Sequence, residues 1–167
     1  MGFCIFFEFE TKCIIGGMER ILFLCHGNIC RSVAAEMVFA NLIKRMGLED
    51  RYTFDSFATS YEEIGNPIYP PMKRELLSRG YSLHPHYAKR VTVKDIEGCD
   101  YLFYMDGENL YSLTRIYPDA EKDTKIKPIS FFTSKVNEIE DPWYTGRYGK
   151  VVDQIEICLN AFLESKR

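Results

Sequence analysis

One short segment of the chain holds the residues best suited to chemistry. It reads Cys25-His26-Gly27-Asn28-Ile29-Cys30-Arg31-Ser32. Gly27 permits backbone conformations that other residues avoid, and a tight loop of this size points successive N–H groups inward. The planar guanidinium of Arg31 adds a clamp for phosphate oxygens beside those amides. The segment therefore predicts a cradle for a phosphate dianion.

The same cradle predicts a nucleophile. Inward N–H groups and the positive end of a following helix favour a thiolate at Cys25 as much as a bound phosphate. That thiolate would attack phosphorus to give a phosphocysteine, which water then hydrolyses. The hydroxyl of Ser32 would donate to the sulfur and help it leave. A cysteine buried as a small apolar side chain is the competing interpretation, because cysteine and arginine also occur at this spacing by chance.

Regular elements must position this loop from both sides. Ile21–Leu24 is a continuous apolar run, typical of a strand buried on both faces, and residues 32–46 carry apolar side chains at helical spacing. Further patterns predict strands at residues 52–58, 101–105 and 126–129, and helices at residues 72–79, 108–117 and 151–163. Residues 62–71, 84–93 and 135–148 are predicted to be irregular.

Strands alternate with helices along the whole chain. This order predicts one α/β domain with a four-stranded parallel sheet and helices on both faces. Ligands of such folds bind at the carboxyl ends of the strands, which is where the loop from Cys25 begins.

Length and charge narrow the class of protein. A chain of 167 residues suits one domain, and a net charge of −3 gives no electrostatic reason to expect nucleic acid or an anionic membrane as partner. No apolar run approaches the roughly 18 residues of a membrane span. The six cysteines are interpreted as reduced thiols of a cytoplasmic protein, and the histidines form no zinc pattern. We therefore expect no metal and no cofactor.

Residues 1–17 are interpreted as an N-terminal extension, which leaves residues 18–167 as the domain. The segment lacks the pattern of a signal peptide, because no basic residue precedes its apolar stretch and Glu8 and Glu10 interrupt it. Met18 is predicted to be the true start. The alternative is an added edge strand over residues 3–9, which have β propensity.

The loop residues and several other short motifs resemble those of a known family. Ile21–Ser32 is similar to the phosphate-binding loop of the low-molecular-weight protein tyrosine phosphatases, and the resemblance covers about residues 18–166. Further matches are Asp141-Pro142, Asp55-Ser56, His86 with Ala88, and Met105-Asp106 followed by Asn109. The resemblance implies a flavodoxin-like fold of the phosphotyrosine phosphatase I type.

The resemblance also implies roles outside the loop. Asp141 would be the general acid that protonates the leaving oxygen, and a carboxylic acid beside the pocket suits that task. The competing interpretation is that Asp141 and Pro142 merely begin a turn. Asn28 would bridge the loop through its amide, with Ser56 and His86 completing the network. His86 as a surface or packing histidine stays open.

The predicted pocket wall departs from the family in two places. Trp143 stands where the family usually has a tyrosine, and either Trp143 or Tyr144 would stack on the substrate ring. Glu62 stands where many relatives carry an aromatic residue, and we expect Tyr61 to substitute for it. In the family, the cysteines at the positions of Cys25 and Cys30 can form a reversible protective disulfide; simple packing is the alternative for Cys30.

Hydrolysis of protein phosphotyrosine is the leading hypothesis for function. The partner would be a tyrosine-phosphorylated protein, for example a bacterial tyrosine kinase, and the enzyme would be a monomer or weak homodimer. Protein-arginine phosphatases share the scaffold, but that branch typically has Thr where this chain has Ile29. A thioredoxin-coupled arsenate reductase would need two further close cysteines, whereas Cys99 and Cys158 lie far apart in sequence. A non-catalytic phosphate-binding module is the third rival.

Overall fold

A computed structural model describes residues 17–167 as an α/β fold around one sheet. The strands are β1 (Glu19–Cys25), β2 (Tyr52–Ala58), β3 (Tyr101–Tyr104) and β4 (Ile126–Pro128). The helices are α1 (Arg31–Arg45), α2 (Pro70–Ser78), α3 (Val93–Glu97), α4 (Gly107–Thr114), α5 (Pro142–Thr145) and α6 (Tyr148–Ser165). The proposed start at Met18 and the alternative edge strand at residues 3–9 depend on a segment outside the described residues.

The four strands are parallel and lie in the order β2-β1-β3-β4. Ile21 of β1 pairs in register with Phe54 of β2 and with Tyr101 of β3, so β1 is a central strand. Cys25, the last residue of β1, pairs with Ala58, the last residue of β2. The fold predicted from the alternation of elements is confirmed, and the loop leaves the sheet at its carboxyl edge.

Alternate residues of β1 enter two separate cores. Ile21 and Phe23 pack in the larger cluster with residues of α1, α2 and α6, whereas Leu22 and Leu24 pack in the smaller cluster with residues of α3 and α4. Helices therefore cover both faces of the sheet, which explains why β1 reads as an uninterrupted apolar run. The strand is held rigidly, and so is the residue at its end.

Two short helices lie in segments predicted to be irregular or left unassigned. Helix α3 begins with a capping box between Thr92 and Asp95, and α5 begins with Asp141 as its N-cap. At five and four residues, both are too short to show a helical repeat in sequence. Helix α6 also starts earlier than predicted, at Tyr148. Within residues 17–167, no helix combines the length and the apolar character needed to cross a bilayer.

Candidate active site

The loop between β1 and α1 is held by backbone hydrogen bonds from the connection between β2 and α2. Thr59 donates from its backbone N–H to the Cys25 carbonyl at 2.9 Å, and Ser60 donates to the His26 carbonyl at 3.1 Å. On the other side, Tyr69 donates to the Ile29 carbonyl at 2.8 Å. These bonds hold the loop backbone on both flanks, so its shape is fixed by the fold around it.

The Cys25 sulfur lies among hydrogen-bond donors at the cleft. The backbone N–H of Asn28 donates to Cys25 Sγ at 3.3 Å, and Ser32 Oγ lies 3.0 Å from the same sulfur. Ser32 Oγ also accepts a hydrogen bond from Asn28 Nδ2 at 2.9 Å, which leaves its own proton free to point at Sγ. Cys25 is only 3% exposed, yet it lines the cleft. The sulfur is thus in contact with a backbone N–H group and a hydroxyl group at the cleft.

Asn28 lies at the centre of the hydrogen bonds that connect the loop to its surroundings. Its backbone is left-handed, with φ of 58°, a conformation that asparagine tolerates better than most residues. Its Nδ2 donates to Ser32 Oγ and to Ser56 Oγ, each at 2.9 Å, and its Oδ1 accepts from the Lys89 backbone N–H at 3.1 Å. The buried side chain therefore ties α1, β2 and the segment before α3 to one loop residue.

A buried carboxylate that sequence reasoning missed lies behind this bridge. Glu36 of α1 is 6% exposed and accepts a short hydrogen bond from Ser56 Oγ. Its other oxygen lies 2.7 Å from His84 Nε2. The sequence carried one signal for it, because Glu36 follows Ser32 by four residues and so lies on the same face of α1.

His86 completes the network. Its Nε2 lies 2.7 Å from the Asn28 carbonyl, and because a carbonyl only accepts, this nitrogen carries the proton. Its Nδ1 lies 3.7 Å from Glu36 Oε2. The side chain of His86 is nearly buried, so it supports the loop rather than lying free on the surface.

Arg31 is held by two carboxylates at the start of α1. Its Nη1 donates to Asp106 Oδ2 at 2.6 Å and to the Ile139 carbonyl at 3.0 Å, and its Nη2 donates to Asp141 Oδ2 at 3.4 Å. Burial disfavours the charged guanidinium, but the Cys25 sulfur and Asp106 outweigh it and raise the pKa of Arg31. Arg31 is therefore a permanent, oriented cation beside the sulfur.

Asp106 belongs to a motif that resembles the family, but the motif by itself predicts no role for it. It follows β3 and caps α4, because its Oδ1 accepts from the Asn109 backbone N–H at 2.9 Å. Its other oxygen meets Arg31. The position of Asp106 just beyond a predicted strand was the feature of the sequence that could have indicated a role at the site, because ligands of parallel sheets bind at the carboxyl ends of the strands.

Asp141 lies at the rim of the cleft. Its Oδ1 accepts from the Trp143 backbone N–H at 3.0 Å, while its Oδ2 faces Arg31. About a third of the Asp141 side chain is exposed, so it can reach a substrate oxygen. The structure thus brings Asp141 to Cys25 and Arg31, although Asp141 follows Arg31 by 110 residues.

A cleft of about 400 Å³ lies above the loop, a size suited to a small-molecule or side-chain ligand. The loop residues from Cys25 to Arg31 line it, and Asp141, Trp143 and Tyr144 lie on its rim. Tyr69 and Tyr148, which sequence reasoning missed, add two further aromatic rings. Ser32, Ser56 and His86 support the loop from behind and are not among the lining residues.

The sequence predicts Tyr61 in the pocket wall, but the structure does not place it there. Its ring lies under the Arg90 guanidinium, 4.2 Å from ring centroid to carbon, and its hydroxyl accepts from Arg90 Nη1 at 2.9 Å. The cation–π contact and the hydrogen bond hold the ring at Arg90, and Tyr61 is not among the residues that line the cleft. Glu62 and Glu63 line the cleft instead.

Cys30 lies in the same loop and is half-buried against the larger core. Burial, and next the nearby Cys25 sulfur, raise the pKa of the Cys30 thiol, so it stays protonated at neutral pH. Within the part of the chain described, no group of three or more His, Cys, Asp or Glu side chains is arranged to hold a metal ion.

Comparison with known proteins identifies the family to which this chain belongs. The family model described as "Low molecular weight phosphotyrosine protein phosphatase" matches residues 20–167. The chain belongs to this family. The resemblance seen in the sequence is thereby confirmed.

Relatives of this phosphatase family match most of the chain. The low molecular weight phosphotyrosine protein phosphatase of Mus musculus is 37% identical, over 89% of this chain and 96% of its own. The low molecular weight protein-tyrosine-phosphatase YfkJ of Bacillus subtilis is 33% identical over the same shares. The crystal structure of YfkJ covers 90% of this chain and 96% of its own with a TM-score of 0.85 at 32% identity. A protein tyrosine phosphatase from Entamoeba histolytica, with Hepes in the active site, covers 89% and 99% with a TM-score of 0.80 at 30% identity.

Proposed function

We propose that this chain hydrolyses phosphotyrosine in proteins through a phosphocysteine on Cys25. One observation carries the proposal: the Cys25 sulfur lies at the floor of the cleft, within 3.3 Å of an N–H donor, and Arg31 beside it reaches Asp141 on the rim. A nucleophile, an anion clamp and an acid are thus assembled around one space large enough for a phosphoryl group.

In the first step, the Cys25 thiolate attacks phosphorus. The S–P bond forms as the P–O bond to the tyrosine oxygen breaks, and Asp141 gives that oxygen its proton. Arg31 and the inward N–H groups of the loop bind the phosphoryl oxygens as their charge is redistributed. The oriented guanidinium lowers the barrier because it needs no rearrangement during the reaction.

In the second step, water attacks the phosphocysteine. Asp141, now ionised, takes a proton from the water, the S–P bond breaks, and phosphate is released. The thiolate that leaves is stabilised by the Ser32 hydroxyl, whose oxygen is already occupied by the amide of Asn28. Asn28 and the carboxylate of Glu36 are positioning residues in this scheme, since they act through Ser32 and Ser56.

The rim favours a phosphorylated aromatic ring. Trp143 and Tyr144 are exposed beside Asp141, and Tyr69 lies 5.9 Å from Trp143 between ring centroids. These side chains offer aromatic surface to a phenyl ring held over Arg31. A phosphoserine side chain would leave this surface uncovered.

Two alternative functions, protein-arginine phosphatase and arsenate reductase, receive less support from the residues of the cleft. Ile29 lines the cleft with no hydroxyl to orient a guanidinium group or water, which favours phosphotyrosine over phosphoarginine. An arsenate reductase relay needs two further cysteines near the loop, but the other cysteines of residues 17–167, Cys99 and Cys158, are buried in two separate cores on opposite faces of the sheet. Thioredoxin-dependent arsenate turnover that Cys99→Ser abolishes would favour the relay.

A substrate panel tests the proposal. Peptides phosphorylated on tyrosine, serine or arginine are compared with the wild type and Cys25→Ser. We expect rapid release of phosphate from the tyrosine peptide alone, no turnover by Cys25→Ser, and retained binding of inorganic phosphate by that variant. Faster turnover of phosphoarginine, or unchanged turnover by Cys25→Ser, contradicts the proposal. Phosphate binding by a wild type that hydrolyses none of the peptides would favour a binding module.

The proposed partner is a tyrosine-phosphorylated protein of the cytoplasm, with a bacterial tyrosine kinase as one example. We infer a monomer or weak homodimer, to be measured by light scattering across a concentration series.

A further inference from the structure

The rim of the cleft carries three glutamates that the proposed chemistry does not use. Glu62 and Glu63 follow β2, and Glu108 lies in the first turn of α4. Glu63 accepts a hydrogen bond from Asn66 Nδ2 at 2.6 Å. Within residues 17–167, none of the three glutamates forms an ion pair with a lysine or arginine.

One of these carboxylates is held in place by the loop itself. His26, the residue after the nucleophile, has its Nε2 2.9 Å from Glu62 Oε2. The His26 backbone is fixed in turn by the hydrogen bond from Ser60. About 70% of the Glu62 side chain is nevertheless exposed, so its charge faces an approaching substrate.

The cleft has little positive charge to balance these glutamates. Arg31 is the only lysine or arginine among the residues that line it, and its guanidinium already meets Asp106 and Asp141. A phosphate dianion that enters therefore passes a negative rim before it reaches Arg31. That arrangement repels a bare phosphate ester and favours one that carries positive charge of its own.

We propose that Glu62, held by His26, and Glu108 select phosphotyrosine substrates that carry lysine or arginine beside the phosphotyrosine. The inference rests on the proposed function and specifies its substrate class. The phosphoryl group meets Arg31 and the ring meets the aromatic rim, while a neighbouring cationic side chain reaches the glutamates. With Tyr61 turned toward Arg90, this part of the wall recognises charge where an aromatic side chain would recognise shape.

Matched phosphotyrosine peptides test the selection. Three peptides differ only in the residues on either side of the phosphotyrosine, which are Arg, Ala or Glu. For the wild type at low salt, we expect kcat/KM to be about tenfold higher for the Arg peptide than for the Glu peptide, mainly through KM. The ratio should shrink as salt is added, because the rim is exposed to solvent.

Charge-removing variants assign the effect to residues. Glu62→Gln and Glu108→Gln should each reduce the Arg-to-Glu ratio by about threefold, as expected for single exposed charge pairs. They should also raise kcat/KM for the Glu peptide, since a repulsion is removed. Glu121→Gln changes an exposed glutamate that does not line the cleft; it is the matched control and should leave the ratio unchanged.

The outcomes separate two kinds of failure. Equal kcat/KM for the three peptides, or a ratio unchanged in Glu62→Gln and Glu108→Gln, overturns the selection while leaving phosphotyrosine hydrolysis intact. If the wild type hydrolyses none of the peptides, the proposed function itself fails. A ratio that falls as much in Glu121→Gln would assign the preference to net charge and overturn the role of the rim.

Discussion

Arg31 and Asp106 are joined at the carboxyl edge of the sheet, with 2.6 Å between Nη1 and Oδ2. The contact connects the first residue of α1 to the residue that caps α4, and these elements follow the neighbouring strands β1 and β3. Only about 4% of the Arg31 side chain is exposed, so its charge depends on this partner. A carboxylate that does not line the cleft thus orients the guanidinium that we propose as the phosphate clamp.

Asp106→Asn should destabilise the protein and make its thermal stability more dependent on bound phosphate. An amide that keeps its oxygen on the α4 cap presents its NH₂ group to Arg31, and loss of the charged hydrogen bond costs about 1–3 kcal/mol. Bound phosphate becomes the replacement counter-ion. Thermal unfolding should therefore show a lower Tm without phosphate, and a larger rise in Tm at saturating inorganic phosphate than in the wild type.

Asp119→Asn is a matched control, because Asp119 is exposed and takes no part in the contacts of Arg31. Its Tm should respond to phosphate as the wild type does. If phosphate raises the Tm of Asp106→Asn and of the wild type equally, Asp106 is not the counter-ion that the clamp requires.

Asp141→Asn should slow substrates with poor leaving groups most. The amide can still accept the hydrogen bond from Trp143 that caps α5, but it has no proton of suitable acidity to give. We expect kcat/KM for phenyl phosphate to fall about 10²–10⁴-fold, and much less for aryl phosphates with acidic phenols. A plot of log kcat/KM against leaving-group pKa should become steeper. Equal losses for all leaving groups would remove Asp141 as the acid.

Asn28→Gly and Asn28→Ala separate the backbone from the side chain at the loop. Both remove the bridge to Ser32 and Ser56, so both should lose stability and most of the turnover. Glycine adopts the left-handed conformation freely, whereas alanine there is strained by about 1–2 kcal/mol. Urea unfolding should find Asn28→Ala less stable than Asn28→Gly by about that amount. The reverse order would show that the left-handed backbone does not limit stability.

Stability should fall at alkaline pH in part through Cys158. Burial raises the pKa of this thiol from 9.0 to about 12, so the folded state keeps its proton while the unfolded state loses it above pH 9.0. The unfolded state then binds fewer protons, and the free energy of unfolding decreases by up to about 1.4 kcal/mol per pH unit between these values.

Cys158→Ala should flatten that decrease. The variant will be less stable at pH 7, since it leaves a cavity in the larger core, but only the slope above pH 9.0 is diagnostic. Urea unfolding at intervals from pH 7 to 11 measures it for both proteins. An identical slope in the variant would assign the alkaline loss to other groups, such as the tyrosines with raised pKa values.

The local structure around the loop was predictable from the sequence. The apolar run of β1, Gly27 and the spacing of Cys25 from Arg31 predict a strand, a turn and a clamp, because these features depend on near neighbours along the chain. The alternation of strands and helices likewise predicts the parallel sheet, since crossover connections leave few topologies. Helices α3 and α5 escaped prediction because they are short and depend on single caps.

Contacts between distant segments were decided by the tertiary structure. Asp106 reaches Arg31, and Glu36 reaches Ser56 and His84, only because the sheet order and the packing of α1 bring them together. Tyr61 was expected at the cleft, but its interaction with Arg90 directs it elsewhere.

The sequence by itself determined the class of fold and the loop that carries the proposed nucleophile and clamp, since periodicity and turn chemistry act over a few residues. The tertiary structure decided which carboxylates hold Arg31 and which side chains form the rim. Those choices depend on through-space electrostatics and packing between residues as far apart as Arg31 and Asp141.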